Sequence, residues 1–375
     1  MQKRVIVLGA SGSIGRNTIE IIRCFPDRFV LAGVSVHSNS AELERLRAEF
    51  HFDDFVITMP GGADGYDKKH FDLERFLSET DADITVNGIA GAAGLAASLI
   101  AVKNQPVLAL ANKETVVMAG ALLRKEAEKY GTLIIPVDSE HAALHSLVSA
   151  YGKENIEKLI LTASGGPFRT WPRERIQKAV CADALKHPTW KMGAKITVDS
   201  ASMANKALEV IEAVNLFDIP ASRISVTVHP SSIVHSLVQL ISGTVYAQLS
   251  LPDMRNPIFS ALAYPEEPPP YLTPLDFTQP LDLHFEPPRL EDFPLLSLGF
   301  TAADKLAGYP IAFNAANEQA VAAFLQGQLC FGHLAEITGS VMQKNWSAQP
   351  ADVQAVLETD AAARRYADEY IHEYL

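Results

Sequence analysis

The chain has 375 residues and a formal net charge of −12, from 32 Lys and Arg against 44 Asp and Glu. This length predicts two or three domains, and 48% apolar with 20% charged residues is typical of a globular protein. The acidic balance, without a long basic run, argues against nucleic acid or an anionic membrane as a partner. Any anionic ligand must therefore be held by a local site.

The three cysteines, Cys24, Cys181 and Cys330, are far apart and odd in number, which argues against a disulfide framework. No CxxC or HExxH motif occurs, so a structural zinc site is not expected. The Gly- and Ala-rich uncharged stretch at 88–102 has 15 residues, whereas a membrane span needs about 20. The apolar run at 5–8 is too short for a signal peptide. We therefore expect a soluble, cytoplasmic protein.

Strand and helix patterns alternate along the first 138 residues. Short apolar runs predict strands at 5–8, 29–36, 55–58, 84–86, 107–109 and 133–136. Helical patterns lie between them at 17–24, 41–50, 73–78, 94–102 and 115–129. Strands that alternate with helices predict an α/β fold with a Rossmann-like, doubly wound parallel sheet.

The pattern changes beyond residue 138. Strands are expected at 156–163, 223–228 and 244–250, and helices at 173–179 and 202–214, which indicates a central α/β (α+β) domain. Nine of the 22 prolines fall between Pro265 and Pro294 and predict an extended linker. The Ala-rich remainder predicts a C-terminal helical bundle. The expected division is 1–138, 139–263, 264–294 for the linker, and 295–375.

The first strand is followed by the glycine turn 9–15, GASGSIG, which opens the first helix. Glycines there allow a tight turn and let backbone N–H groups approach a pyrophosphate. The GxxGxxG spacing is a variant of the dinucleotide fingerprint, and an unliganded glycine turn is the alternative. The second strand ends in His37, Ser38 and Asn39, without the carboxylate that bonds the ribose of NAD. This favours NADP over NAD, with an exposed loop histidine as the alternative for His37.

Polar residues follow two further strands of the predicted sheet, where ligands bind in such folds. Asn112, Lys113 and Glu114 offer an amide, a cation and a carboxylate, although Asn and Glu equally suit a helix N-terminus. Asp138 and Glu140 are two residues apart, so an extended backbone would aim both carboxylates to one side. Such a pair suits Mg²⁺ or Mn²⁺, and a solvated loop is the alternative.

Three later stretches are also dense in polar residues. The Ser-Gly-Gly turn at 164–166 offers donors to an anion, with a plain turn as the alternative. The segment 187–193, HPTWKMG, suggests a lid, although its Trp and Met are also common in cores. Ser200 is interpreted as lying near a helix N-cap. One helix face carries Asn205, Lys206 and Glu209. This face could bind a phosphate and supply Glu209 as a third metal ligand, and a solvated Lys–Glu pair is the alternative.

Taken together, these motifs resemble the 1-deoxy-D-xylulose 5-phosphate reductoisomerases over essentially the whole chain. The matching segments are GASGSIG at 9–15, NGIAGAAGL at 87–95, LANKE at 110–114, PVDSEH at 136–141, TASGGPF at 162–168, HPTWKMG at 187–193, KITVDSASMANKALEVIEA at 195–213, HPSSIVHSLV at 229–238, LPDMR at 251–255 and NAANE at 314–318. The resemblance implies an NADPH- and divalent-metal-dependent homodimer that makes 2-C-methyl-D-erythritol 4-phosphate in the non-mevalonate isoprenoid route.

The resemblance also implies residue roles. The Mg²⁺ or Mn²⁺ ligands would be Asp138, Glu140 and Glu209, which act in catalysis with Lys113 and His187. Substrate contacts would be Lys113, Ser139, Glu140, Ser164, His187, Ser200, Asn205, Lys206 and Glu209, beneath a lid that carries Trp190. Cofactor contacts would be Ser11, Gly12, Ser13, Ile14, Val36, His37, Ser38, Asn112, Glu114 and Gly193. Many family members have a Gly-Lys-Asn-like turn where this chain has Val36-His37-Ser38, so the lysine is absent.

Two other function classes are weighed against this interpretation. A semialdehyde-type NADP dehydrogenase would need a nucleophilic cysteine in the second domain, but Cys181 has no obvious base nearby and Cys330 lies in the helical tail. A non-catalytic NADP-binding sensor would have no need for three carboxylates and a phosphate cradle. The residues do not choose between a retro-aldol route and an α-ketol shift.

Overall fold

A computed structural model describes residues 2–59, 66–187, 189–190 and 192–374. The chain divides into two compact units. The first unit comprises the residues up to Thr115, Ala121–Ala142 and Asp253–Thr273. The second comprises Val116–Gly120, Ala143–Pro252 and Pro274–Leu375. The four-part division expected from composition stays a prediction.

The first unit contains a six-stranded parallel sheet with the order β3-β2-β1-β4-β5-β6. Its strands are β1 (Lys3–Leu8), β2 (Phe29–Val36), β3 (Asp54–Ile57), β4 (Ile84–Asn87), β5 (Val107–Leu110) and β6 (Leu133–Pro136). The intervening helices are α1 (Ser13–Cys24), α2 (Ser40–Phe50), α3 (Leu73–Glu79), α4 (Ala93–Asn104) and α5 (Lys113–Tyr130). This confirms the Rossmann-like sheet, whose order reverses between β1 and β4, where such folds bind ligands.

The segment Asp253–Thr273 also belongs to the first unit, and it carries a helix that the sequence analysis did not predict. This is α11 (Arg255–Ala263). The ring centroids of Phe259 and Phe25 lie 4.7 Å apart in the core of the first unit. Lys3 Nζ on β1 donates to the carbonyls of Ala263 and Tyr264 at 2.9 and 2.6 Å. A cation at a helix C-terminus satisfies its last carbonyls, so α11 is fixed at both its apolar face and its end.

The second unit is built on a mixed four-stranded sheet with the order β10-β9-β7-β8. Its strands are β7 (Ile156–Ala163), β8 (Ile224–Val228), β9 (Val234–Leu240) and β10 (Val245–Leu249). Strand β8 is parallel to β7, whereas β9 is antiparallel to both β7 and β10. The sequence analysis predicted β7, β8 and β10 but not β9, because His235, Ser236 and Gln239 interrupt its apolar pattern.

Helices cover this sheet and complete the chain. They are α6 (Ser139–Tyr151, which starts in the first unit), α7 (Arg173–Gln177), α8 (Cys181–Ala184), α9 (Ala194–Ala201), α10 (Ala204–Phe217), α12 (Pro294–Lys305), α13 (Tyr309–Leu325), α14 (Phe331–Met342) and α15 (Val353–His372). The last four confirm the expected helical C-terminal region. No helix in the described ranges has the length and apolar character of a membrane span.

We predict that Gly15→Ala destabilises the first unit by about 1–3 kcal/mol, as overpacking does. A Cβ at position 15 would lie 2.4 Å from Gly9 O and 2.6 Å from Ala10 Cα, so the turn before α1 would have to open. Scanning calorimetry measures the loss. The control is Gly193→Ala, whose Cβ would meet no atom within 4 Å; equal unfolding temperatures for the two variants would contradict the prediction.

Candidate active site

The glycine turn lies directly after β1, and β2 holds it in place. Gly9 has a φ of +79°, and its N–H donates to Ser35 Oγ at 2.8 Å. Ala10 N donates to the Ser35 carbonyl at 2.9 Å. Gly12, the N-cap of α1, has no side chain with which to cap the helix, so the first N–H groups suit an anionic ligand. The sequence analysis missed Ser35, although a serine in an apolar strand was a signal.

The residues expected near a nucleotide 2′-phosphate differ in how they are placed. The Val36 side chain is buried, so only its backbone can face a cofactor. His37 and Ser38 are exposed, and His37 Nδ1 lies 3.0 Å from Thr58 Oγ1. Asn39 Oδ1 accepts from Glu42 N at 3.1 Å. Asn39 therefore caps α2, whereas the exposed side chains of His37 and Ser38 have no capping role.

Asn112 is a structural cap, one of the two roles that its sequence position allowed. Its Oδ1 accepts from Thr115 N at 2.9 Å at the start of α5. Its Nδ2 donates to the carbonyls of Ile89 and Gly91 at 2.9 Å and to Glu114 Oε2 at 2.8 Å. The capping interpretation is confirmed. A cofactor contact at Asn112 or Glu114 stays a prediction, and Asn112 fixes the loop after β4 against α5.

Lys113 and Asp138 form an ion pair between neighbouring strand ends. Lys113 Nζ donates to Asp138 Oδ2, and both side chains are largely buried. Asp138 Oδ1 accepts from Glu140 N at 3.1 Å, and Ser139 Oγ donates to Glu140 Oε2 at 2.7 Å. The expectation of an extended backbone from 138 to 140 was wrong, because β6 ends at Pro136 and α6 begins at Ser139. The two carboxylates lie at the start of one helix instead.

In the second unit, one histidine joins two of the predicted substrate-binding serines. Ser164 Oγ and Ser200 Oγ each lie 3.1 Å from His187 Nε2. Gly166 has a φ of +63°, and a Cβ there would be 2.9 Å from Ser200 O, so glycine lets this turn approach α9. The placement of Ser200 near a helix N-cap was wrong. Ser200 lies in the last turn of α9, before Met203 breaks the helix with a φ of +62°.

The predicted face of α10 exists, and its charged pair is buried. Asn205 Nδ2 donates to Glu209 Oε1 at 2.6 Å, and Lys206 Nζ donates to Glu209 Oε2. Lys206 and Glu209 are only 4% and 1% exposed. The alternative of a solvated Lys–Glu pair is therefore wrong. Charged groups are rarely buried like this unless they are paired or functional.

The backbone of the predicted lid determines the proton position on His187. Its Nδ1 accepts from Thr189 N at 3.1 Å and from Trp190 N at 2.8 Å. Two N–H donors at Nδ1 leave the proton on Nε2, which donates toward Ser164 and Ser200. Burial lowers the pKa of His187. Within the predicted lid, Pro188 and Lys191 lie outside the described residues, and Gly193 is the N-cap of α9.

We predict that the lid opens as the pH falls below the lowered pKa of His187. Protonated Nδ1 would direct an N–H toward the N–H groups of Thr189 and Trp190. The neutral ring's contribution to stability is thus present above the unfolded-state pKa of about 6.5 and is lost on acidification through the folded-state value. The emission difference between the protein and its Trp190→Phe variant, followed against pH, reports the opening. A His187→Gln variant should give a flat profile; the same transition in that variant would refute the assignment.

The chain is also similar in sequence to known proteins. Profiles described as 1-deoxy-D-xylulose 5-phosphate reductoisomerase, its C-terminal domain and the DXP reductoisomerase C-terminal domain match residues 5–120, 134–217 and 249–366. The reductoisomerases of Treponema denticola and Treponema pallidum are 55% and 52% identical over 98% and 96% of this chain, and 96% of each relative.

Two solved structures are also similar. The Zymomonas mobilis reductoisomerase in complex with NADPH superposes with a TM-score of 0.92 at 35% identity, over 99% of both chains. A DOX-P reductoisomerase in complex with NADPH, fosmidomycin and magnesium gives 0.88 at 36% identity, over 99% of this chain and 98% of that one. With three matching profiles and relatives more than half identical over nearly its whole length, this chain belongs to the 1-deoxy-D-xylulose 5-phosphate reductoisomerase family.

Proposed function

We propose that the chain rearranges 1-deoxy-D-xylulose 5-phosphate and reduces it to 2-C-methyl-D-erythritol 4-phosphate, with NADPH and a divalent metal, in non-mevalonate isoprenoid biosynthesis. The observation that carries the proposal is the buried Lys206–Glu209 pair on α10, with the half-buried Asn205 beside it. It belongs to a chain whose family includes a structure that holds NADPH, fosmidomycin and magnesium. An enzyme with three free cysteines and NADPH as reductant fits the cytoplasm.

The glycine turn is suited to the NADPH pyrophosphate. A Cβ at position 15 would clash with Gly9 and Ala10, so glycine lets this turn pack closely against the start of α1. Ser11, Gly12, Ser13 and Ile14 would contact the cofactor there, although the N–H of Gly12 is donated to Gly9 O at 2.9 Å. The exposed His37 and Ser38 would bind the 2′-phosphate without the family's lysine. NADPH supplies the hydride that reduces the rearranged aldehyde.

The metal ligands in this proposal are Asp138, Glu140 and Glu209. Carboxylate oxygens fit Mg²⁺ or Mn²⁺, which prefer hard ligands. The bound cation would act as a Lewis acid on the substrate's ketone and hydroxyl oxygens. Lys113 orients Asp138 through its ion pair, and Ser139 orients Glu140. Both carboxylates are thus held in place before the ligand arrives.

The phosphate of the substrate would be bound by the second unit. Ser164 Oγ and Ser200 Oγ each lie 3.1 Å from His187 Nε2, so these three groups offer neutral hydrogen-bond donors side by side. Lys206 adds a buried positive charge and Asn205 an amide. A phosphate group that is bound at a distance from the reacting carbons orients those carbons and lowers the entropic part of the activation barrier.

The direct test is NADPH oxidation with 1-deoxy-D-xylulose 5-phosphate, with and without Mg²⁺, beside an NADH control. Metal-dependent loss of NADPH absorbance with a clear preference over NADH is the expected result. That preference would also show that His37 and Ser38 replace the missing lysine. Absence of turnover by folded protein at high metal concentration would refute the proposal.

We predict that Glu209→Gln lowers kcat by about 100-fold or more, in the range that loss of a metal-site group produces, while the chain stays folded. Gln keeps the size of Glu and one acceptor for Asn205 but removes the charge. Saturating Mg²⁺ should not restore activity. Near-normal turnover at high Mg²⁺ would remove Glu209 from the ligand set, and circular dichroism verifies the fold.

We also propose that the enzyme is a homodimer that pairs through the β10 edge of the second unit's sheet. Among the residues that the structure describes, strand β10 has no neighbour on its outer side in the sheet order. Val245 and Tyr246 on it are 47% and 38% exposed, and Ile241 in the preceding turn is 67% exposed. An edge strand with exposed apolar side chains is a surface that natural proteins usually cover.

If this edge is the interface, Val245→Lys combined with Ile241→Glu should convert the dimer to a monomer, since both charges would be buried on association. Light scattering coupled to size-exclusion chromatography measures the mass. The matched control is Leu357→Glu on α15, an apolar residue 44% exposed and outside the edge, which should remain dimeric. A monomeric native protein, or a dimeric double variant, contradicts the proposal.

A further inference from the structure

The C-terminal helices are connected to the phosphate-binding end of the site through one buried carboxylate. Asp199 on α9 is 1% exposed and directly precedes Ser200. Its Oδ1 accepts from Asn317 Nδ2 on α13 at 2.7 Å. Its Oδ2 lies 3.0 Å from Lys195 Nζ, one turn earlier on α9. Both carboxylate oxygens therefore have a partner, and one of these partners comes from a helix more than 100 residues further along the chain.

Asn317 is itself enclosed by the surrounding protein. It is fully buried and lies among the apolar residues of α13. The next residue, Glu318, pairs with Arg364 on α15 and lies 3.8 Å from Lys195. Arg364 also bonds Asp360 at 2.7 Å, and these carboxylates raise the pKa of its guanidinium. The network thus joins α9 to α13, and α13 to α15.

A different face of α9 carries Ser200, the proposed phosphate-binding group. Successive residues on a helix point about 100° apart, so Asp199 and Ser200 face different directions. Asp199 faces α13, whereas Ser200 Oγ lies 3.1 Å from His187 Nε2. The last turn of α9 is also where the helix ends, because Met203 adopts a positive φ. The last turn of a helix lacks some of its backbone hydrogen bonds and therefore depends most on contacts from outside the helix.

We propose that Asn317 is a positioning residue for substrate binding: it holds Asp199, and through Asp199 it sets the rotation of the α9 end that presents Ser200 to the substrate phosphate. This inference rests on the proposed function of Ser200. It gives the C-terminal helices a role in substrate affinity. Loss of the Asn317 bond leaves the Asp199 carboxylate with one partner and lets Ser200 move away from His187.

The test compares Asn317→Ser with Asn314→Ser. Asn314 is equally buried, one turn earlier on the same helix, and its Nδ2 contacts Met118 Sδ instead of α9. Both variants lose a buried amide. Only Asn317→Ser should raise the KM for 1-deoxy-D-xylulose 5-phosphate, by about tenfold as small misplacements do, while the KM for NADPH stays unchanged. Equal KM values in the two variants overturn the proposal.

Two further measurements separate the possible failures. Inorganic phosphate binding, followed by Trp190 emission, needs no turnover and should weaken about tenfold in Asn317→Ser alone. The exchanged pair Asp199→Asn with Asn317→Asp keeps the hydrogen bond in reverse and should recover phosphate affinity. If Asn317→Ser does not fold, the exchanged pair is compared with Asp199→Asn alone. Equal phosphate affinity in these two variants would refute the positioning role of Asn317. A native protein that neither binds phosphate nor turns over substrate refutes the proposed function instead.

Discussion

The burial of opposite charges on α10 is the interaction on which the second unit's site depends. Lys206 and Glu209 lie one turn apart, almost without solvent, and each compensates the charge of the other. Removing one partner of such a pair costs about 3–5 kcal/mol, because the remaining charge is then buried alone. An apolar pair would pack at least as stably, so stability by itself does not explain these residues. In the proposed function, Lys206 would meet an anion and Glu209 a cation.

Close backbone approach is the corresponding constraint at the two turns. Gly15 lets the first turn of α1 pack against Gly9 and Ala10, and Gly166 lets the turn after β7 pack against the end of α9. In both places a side chain would occupy space that backbone atoms already fill. Donor groups that must converge on a small anionic ligand need this spacing. The glycines of the two units therefore serve the same physical purpose on unrelated sheets.

The cysteines bear on the alternative functions. Cys181 is partly buried at the start of the short α8, and Cys330 is exposed as the N-cap of α14, where His333 accepts from its backbone N–H. Cys330 thus completes a helix cap, an ordinary structural role. A semialdehyde dehydrogenase would require a cysteine nucleophile with a base beside the cofactor, and the family assignment favours neither this activity nor a sensor without chemistry.

The sequence by itself determined the parallel sheet, since its buried strands are continuous apolar runs whose limits are visible without a fold. It also indicated Lys113, Asp138, Glu140 and Glu209 as candidates, because charged residues at strand ends or on one helix face are conspicuous, whereas their roles came from the family resemblance and stay predictions. The tertiary structure alone decided which helix carries each group. Asp138 caps α6 and Ser200 lies in the last turn of α9, because these helices begin and end where packing and capping bonds allow, and local propensity does not contain that information. Only the fold could pair Asp199 with Asn317, which are 118 residues apart.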